Sequence, residues 1–158
     1  MQRPLYGPLQ WGAEIAGLII LLALLSYIAL QWGDLPEKIP THYNFSGQAD
    51  AWGSKSALLY LLGGAIFTWI VLTVVSFFPS LWNYPVKVTP ANAQFLYLCS
   101  LNLLVLLKLE LLILFSSIIY FAINEQNLPV WLTPIALAVI FASVLFPIWR
   151  MYRLGKYV

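Results

Sequence analysis

Four long apolar stretches divide the chain, and a polar loop separates the first from the second. They run over about residues 11–32, 56–78, 94–123 and 130–149. Each is about as long as the roughly 20 apolar residues that a helix needs to cross a bilayer. Leucine- and isoleucine-rich runs lack the alternation of a barrel strand. The pattern therefore predicts four transmembrane helices in a single transmembrane domain, 1–158, built from two hairpins at about 11–78 and 94–149.

The composition agrees with a chain that lies mostly in lipid. Hydrophobic residues make up 61% of the sequence and charged residues only 9%, whereas about a quarter of a soluble domain is charged. A net charge of +2 gives no indication of nucleic-acid binding, and the one cysteine, Cys99, excludes an internal disulfide framework. We expect an all-α integral membrane four-helix bundle with membrane lipids as its surroundings and no nucleic-acid partner.

The basic residues predict the orientation. Five of them precede the first span, follow the fourth, or lie between the second and third: Arg3, Lys87, Arg150, Arg153 and Lys156. Two lie in the remaining connections: Lys38 and Lys55. Since loops rich in lysine and arginine stay in the cytoplasm, both termini are predicted to be cytoplasmic. The loop between the first two helices would then face the outside.

That outer loop has the features of an ordered segment. Pro36 and Pro40 restrict the residues before them to extended conformations, which predicts an extended approach. Gly47 allows a tight turn. Ser54 is predicted to cap the second helix, with Asp50 near the positive end of that helix.

The loop also holds the chain's candidate polar site. We expect His42, Asn44 and Asp50 to form one hydrogen-bonded unit. One histidine with one carboxylate makes a poor metal site, so neither a metal nor a cofactor is predicted. The sequence contains no HExxH, paired CxxC or GxSxG pattern, and this favours a non-enzymatic protein.

The loop residues resemble a known motif. The positions concerned are Pro36, Ile39, Pro40, His42, Asn44, Gly47, Asp50 and Lys55. Their spacing resembles that of a bacterial membrane-protein domain family of unknown function, a domain shared with the SdpI immunity proteins against a secreted toxin. The resemblance covers the first two spans and their loop. It implies a multi-pass protein of the bacterial cytoplasmic membrane, with immunity or sensing as its function.

Two charges, Lys108 and Glu110, fall in the middle of the third span. Each costs about 2.5–3.5 kcal/mol on insertion scales. Residues two apart point about 200° apart on a helix, so the two are not expected to pair. We predict that one faces the bundle core and the other faces outside. Glu14 is predicted to lie too near the inner surface to reach Lys108.

The side chains available to such charges are the hydroxyls at similar depth, which belong to Ser26, Thr68 and Ser143. The roles left open for the two charges are a packing pin, a proton or substrate relay, and docking onto another subunit. The favoured function is recognition of a peptide, protein or envelope component by the outer loop. The alternative is an accessory subunit of a larger membrane complex. Either way, we expect a membrane-protein partner or a homo-oligomer.

Overall fold

The computed structural model describes residues 6–157, so Arg3 lies outside the described residues. Its helices are α1 (Pro8–Gln31), α2 (Ala57–Ser76), α3 (Ala93–Ile123) and α4 (Leu132–Leu154). All four are long and apolar enough to cross a membrane. The four predicted spans are thus confirmed as helices, with boundaries that differ by a few residues.

Helix α3 is the centre of the bundle. It is 31 residues long, and α1, α2 and α4 each pack against it. One apolar cluster joins Leu24 and Ile28 of α1 to Ile119 and Ile123 of α3. This cluster shows that α1 and α3 run in the same direction, with their carboxyl ends together. Helix α4 is the least embedded, since within it Met151 is the buried residue.

The prediction of an all-α fold is wrong in one respect, because the outer loop is a β-hairpin. Strand β1 (Lys38–Tyr43) pairs antiparallel with β2 (Ala49–Ser54). The extended approach predicted from the prolines is β1. Strand β2, with the sequence ADAWGS, contains no β-branched residue, and Trp52 is its one residue of high strand propensity. Pairing with β1 decides its conformation.

The predicted cap of α2 is also wrong. The residue before the helix is Ser56, and its side chain makes no capping bond. The Ser54 hydroxyl oxygen instead accepts a hydrogen bond from the Ser56 N–H at 3.3 Å. Ser54 therefore lies two residues too early to cap the helix. Asp50 lies on β2, away from the helix end.

The hairpin is fixed to the bundle at its base and at its tip. At the base, Ile39 is fully buried and packs in the cluster with Leu58 and Ile119. At the tip, the Leu128 N–H donates to the Gly47 carbonyl at 2.8 Å. The Ala49 N–H donates to the side-chain oxygen of Asn127 at 3.1 Å. The hairpin therefore rests on the end of α3 and on the turn between α3 and α4.

Substitution of Gly47 tests whether the tip of the hairpin depends on its contact with the turn between α3 and α4. Its φ is +76°, and a Cβ there would lie 2.2 Å from the Leu128 carbonyl oxygen. A left-handed conformation costs a non-glycine residue about 1–2 kcal/mol, and losing the bond to Leu128 costs about 1 kcal/mol more. Gly47→Ala should lower the opening free energy of the hairpin by about 2 kcal/mol, which is about a 30-fold rise in amide exchange rate.

Hydrogen exchange of the β1 and β2 amides, measured in nanodiscs, checks this expectation. Gly33→Ala is the matched control, because a Cβ at Gly33 meets nothing within 4 Å. Equal exchange rates in the two variants would show that the hairpin does not depend on the contact between Gly47 and Leu128.

Candidate functional site

The turn of the hairpin is organised by one motif residue, Asn44. Its side-chain oxygen accepts hydrogen bonds from the N–H groups of Ser46 at 2.9 Å and Gln48 at 3.0 Å. Its backbone N–H donates to the Gln48 carbonyl at 2.9 Å. An asparagine side chain that bonds the backbone two residues on stabilises a turn. Asn44 and Gly47 therefore have structural roles that account for their positions.

Two irregularities in strand pairing bring His42 and Asp50 together. The register passes from Pro40↔Trp52 to His42↔Ala51 and then to Tyr43↔Ala49. Such irregularities re-aim side chains and are common next to functional sites. The Nδ1 atom of His42 lies 2.5 Å from an Asp50 carboxylate oxygen. The predicted three-residue unit is thus a pair, because Asn44 makes its contacts within the turn.

The pair is open to solvent, since 68% of the His42 side chain and 43% of the Asp50 side chain are exposed. Exposed ion pairs contribute about 0–1 kcal/mol to stability. The pair therefore contributes little to holding the hairpin, in contrast to Asn44 and Gly47. Among the described residues no group of three or more metal-ligating side chains occurs.

The remaining motif residues lie near the base of the hairpin. Lys55 forms an ion pair with Glu37, with 3.2 Å between Nζ and Oε1, and its Nζ lies 5.8 Å from the centre of the Trp32 ring. Pro40 is fully buried, and Pro36 is exposed just before β1. Lys55 and Pro40 thus contribute to the junction between hairpin and helices.

Two exposed aromatic side chains belong to the same hairpin. Phe45 at the tip is fully exposed, and Trp52 on β2 is half exposed. We call His42, Asp50, Phe45 and Trp52 together the hairpin surface. A tryptophan at such a position is typical both of binding interfaces and of the membrane–water interface.

Tyr43 lies in the same hairpin and differs from these residues. Its hydroxyl is buried, with no hydrogen-bond partner in the described part of the chain. Burial raises the pKa of Tyr43 to about 12, so the hydroxyl keeps its proton at physiological pH. It is a donor without an acceptor among the described residues.

A second polar site lies between the helices, and it corrects a sequence expectation. Lys108 is 3% exposed, and its Nζ lies 2.5 Å from a Glu14 carboxylate oxygen and 2.9 Å from the Thr73 hydroxyl. The prediction that Glu14 cannot reach Lys108 is wrong. Helical side chains lean toward the amino end of their helix, and α1 and α3 run in the same direction. The lysine stem therefore reaches down toward the level of Glu14.

Further polar groups surround this ion pair at the same end of the bundle. The Tyr6 hydroxyl lies 3.3 Å from both Glu14 and the Ser76 hydroxyl. The side chain of Gln10 donates to that of Asn102 between α1 and α3. The sequence reasoning missed Gln10 and Asn102. The sequence could have indicated this pair, because a polar side chain inside an apolar span needs a partner at similar depth.

Glu110 points away from Lys108, as the helical geometry predicts. Its Oε2 accepts a hydrogen bond from the Ser143 hydroxyl of α4 at 2.7 Å. Glu110 is neither in the core nor fully outside the bundle: it lies half-buried in the seam between α3 and α4, whereas Lys108 is buried. Of the three hydroxyls predicted at this depth, that of Ser143 bonds to a charged residue, which is Glu110. The partner of Lys108 is Thr73 rather than Thr68.

The pairing of Lys108 with Glu14 predicts a specific pattern of stabilities. Lys108→Met and Glu14→Leu should each lower the unfolding free energy by about 3–5 kcal/mol, because each strands a buried charge. The double variant should lose less than either single one. Unfolding in mixed micelles with increasing dodecyl sulfate measures these losses.

Glu110→Gln serves as the control partner in the same experiment. Combined with Lys108→Met it should rescue nothing, because the two residues are on opposite faces of α3. A rescue by Glu110→Gln and none by Glu14→Leu would contradict the observed pairing.

Comparison with known proteins draws attention to the hairpin. One family model, that of a domain of unknown function (DUF1648), matches residues 18–66. No curated protein and no solved structure matches the chain. The match covers less than a third of the sequence and leaves out Glu14, Lys108 and Glu110. It contains the second part of α1, the whole hairpin and the first part of α2, and so this region of the chain is similar to DUF1648.

Proposed function

We propose that the protein is a non-enzymatic membrane protein whose hairpin surface recognises a peptide, a protein or an envelope component outside the cytoplasm. The observation that carries the proposal is the exposed pair of His42 and Asp50. The other motif residues of the hairpin stabilise the turn or the junction with the helices. This pair contributes little to stability and is presented on a docked element, as a binding group would be.

The rigidity of the hairpin supports recognition rather than a passive connection. Bonds from Leu128 and Asn127 hold the tip, and Ile39 anchors the base. A surface that is ordered before binding loses less entropy when its ligand arrives. Phe45 and Trp52 add the aromatic area that is enriched at binding hot spots.

The orientation in this proposal comes from the charge distribution. With Arg150, Arg153 and Lys156 in the cytoplasm, the hairpin faces the outside. The match to DUF1648 centres on the hairpin. The motif resemblance to the SdpI immunity proteins then suggests toxin sensing or immunity in a bacterial cytoplasmic membrane. No cofactor is part of this function.

The second candidate is an accessory subunit of a larger membrane complex. It is favoured by α4, whose outer face presents Phe141, Phe146 and Trp149 and which buries little within the chain. Glu110 adds limited support to this reading, because one of its two oxygens is already bonded to Ser143 in the seam. Recognition by the hairpin therefore remains the first choice.

Photo-crosslinking in intact native cells distinguishes the two candidates. With p-benzoylphenylalanine in place of Phe45, irradiation should give a discrete adduct. Asp50→Asn should reduce its yield about fivefold or more, since removal of a binding hot spot costs above about 1 kcal/mol. The adduct is detected by electrophoresis and identified by mass spectrometry.

Asp34→Asn is the matched control, because Asp34 is an exposed carboxylate at the same end of the bundle and lies outside the hairpin surface. It should leave the yield unchanged. An adduct that forms from position 141 on α4, and not from position 45, would contradict hairpin recognition and support the accessory subunit.

A further inference from the structure

An apolar groove of about 250 Å³ runs along the seam between α3 and α4. From α3 it is lined by Glu110, Leu114 and Ser117. On the other side it is lined by Trp131, which directly precedes α4, and by α4 residues that include Ala136. Trp131 is at the start of α4, at the hairpin end of the bundle. Glu110 is 13 residues before the end of α3, or about 20 Å along the helix. The groove therefore leads from the membrane interface to a carboxyl group deep in the bilayer.

The carboxyl group in this groove is only partly satisfied. Oε2 accepts a bond from Ser143, and Oε1 has no hydrogen-bond donor among the residues that the structure describes. Among the described residues, the one buried side-chain polar atom without a hydrogen-bond partner is the Tyr43 hydroxyl. Oε1 of Glu110 also has no partner and is not that atom, so it is not buried. A charge at this depth is costly unless it is paired. The free oxygen is thus the polar end of an otherwise apolar site.

No basic side chain elsewhere in the four helices is available to pair with Glu110. Lys108 is on the opposite face of α3 and is bound to Glu14 and Thr73. Arg150 and Arg153 are in the last turns of α4, at the far end from Trp131. A second copy of this chain has the same Lys108, already paired. An external cation could therefore complete the site at Glu110.

We propose that the groove binds a small lipophilic amine, with its ammonium group on Glu110 and its apolar body along α3 and α4. An ammonium donates the hydrogen bonds that Oε1 lacks and supplies the opposite charge. The groove is apolar apart from Glu110 and the Ser117 hydroxyl, and its volume of about 250 Å³ suits a small molecule. This site is separate from the hairpin surface and does not depend on the proposed function.

Binding of 4-phenylbutylamine to the full-length protein in phosphatidylcholine nanodiscs tests the proposal. Radiolabelled amine bound to empty nanodiscs is subtracted as partitioning into lipid. Glu110→Gln should weaken binding about tenfold or more, since a charge-assisted hydrogen bond is worth about 1.5–3 kcal/mol. Ala136→Phe, which fills the groove and keeps the carboxylate, should also weaken binding.

Two controls distinguish binding at a specific site from nonspecific attraction of the amine to the protein. Glu125→Gln changes an exposed carboxyl in the turn between α3 and α4 and should leave binding unchanged. The neutral analogue 4-phenylbutan-1-ol should bind weakly, and equally to the unmodified protein and to Glu110→Gln. Circular dichroism confirms that each variant is folded.

Amine binding that is equal in the unmodified protein and in Glu110→Gln would overturn the proposal. It would also be overturned if the amine did not bind while a transmembrane peptide with a central lysine bound at Glu110. That second result would identify the seam as a docking site for a partner helix.

Discussion

The scarcity of water in the bilayer is the constraint on which the rest of this structure depends. A polar group inside a span must find its partner within the protein or in a neighbour. Helix α3 carries Lys108 and Glu110 on opposite faces, and each polar side chain bonds to a different neighbour. Lys108 ties α3 to α1 and α2 through Glu14 and Thr73, while Glu110 meets Ser143 of α4. The central position of α3 follows from these bonds together with apolar packing.

The hairpin depends on that arrangement. Its base is buried against the end of α3, and its tip is bonded to the turn that connects α3 to α4. Because α1 and α3 run in parallel, their carboxyl ends lie at the same end of the bundle. The hairpin that follows α1 therefore begins next to the end of α3. The match at residues 18–66 covers the hairpin but not its support. Residues 119–128 of this chain thus supply the base on which the matched region rests.

Much of the fold could be predicted from the sequence, because its signals are local. Helix length and hydropathy fix the four spans, the prolines predict the extended β1, and Gly47 predicts the turn. Strand β2 was not predicted, since Trp52 is its one residue of high strand propensity and its conformation depends on pairing with β1. The partner of Lys108 was also missed. Sequence counting measures depth at Cα, whereas a lysine side chain spans more than a helical turn, and its direction depends on the parallel course of α1 and α3.

The central claim is that the ordered hairpin faces the outside of the cell, as the proposed recognition requires, and thiol labelling tests it most directly. In a Cys99→Ser background, Ser46→Cys would place a thiol in the exposed turn, and Asn83→Cys would place one at the other end of the bundle. We predict that a membrane-impermeant reagent labels the thiol at position 46 in intact cells, and the thiol at position 83 only after permeabilisation. Labelling at position 83 alone in intact cells would contradict the account.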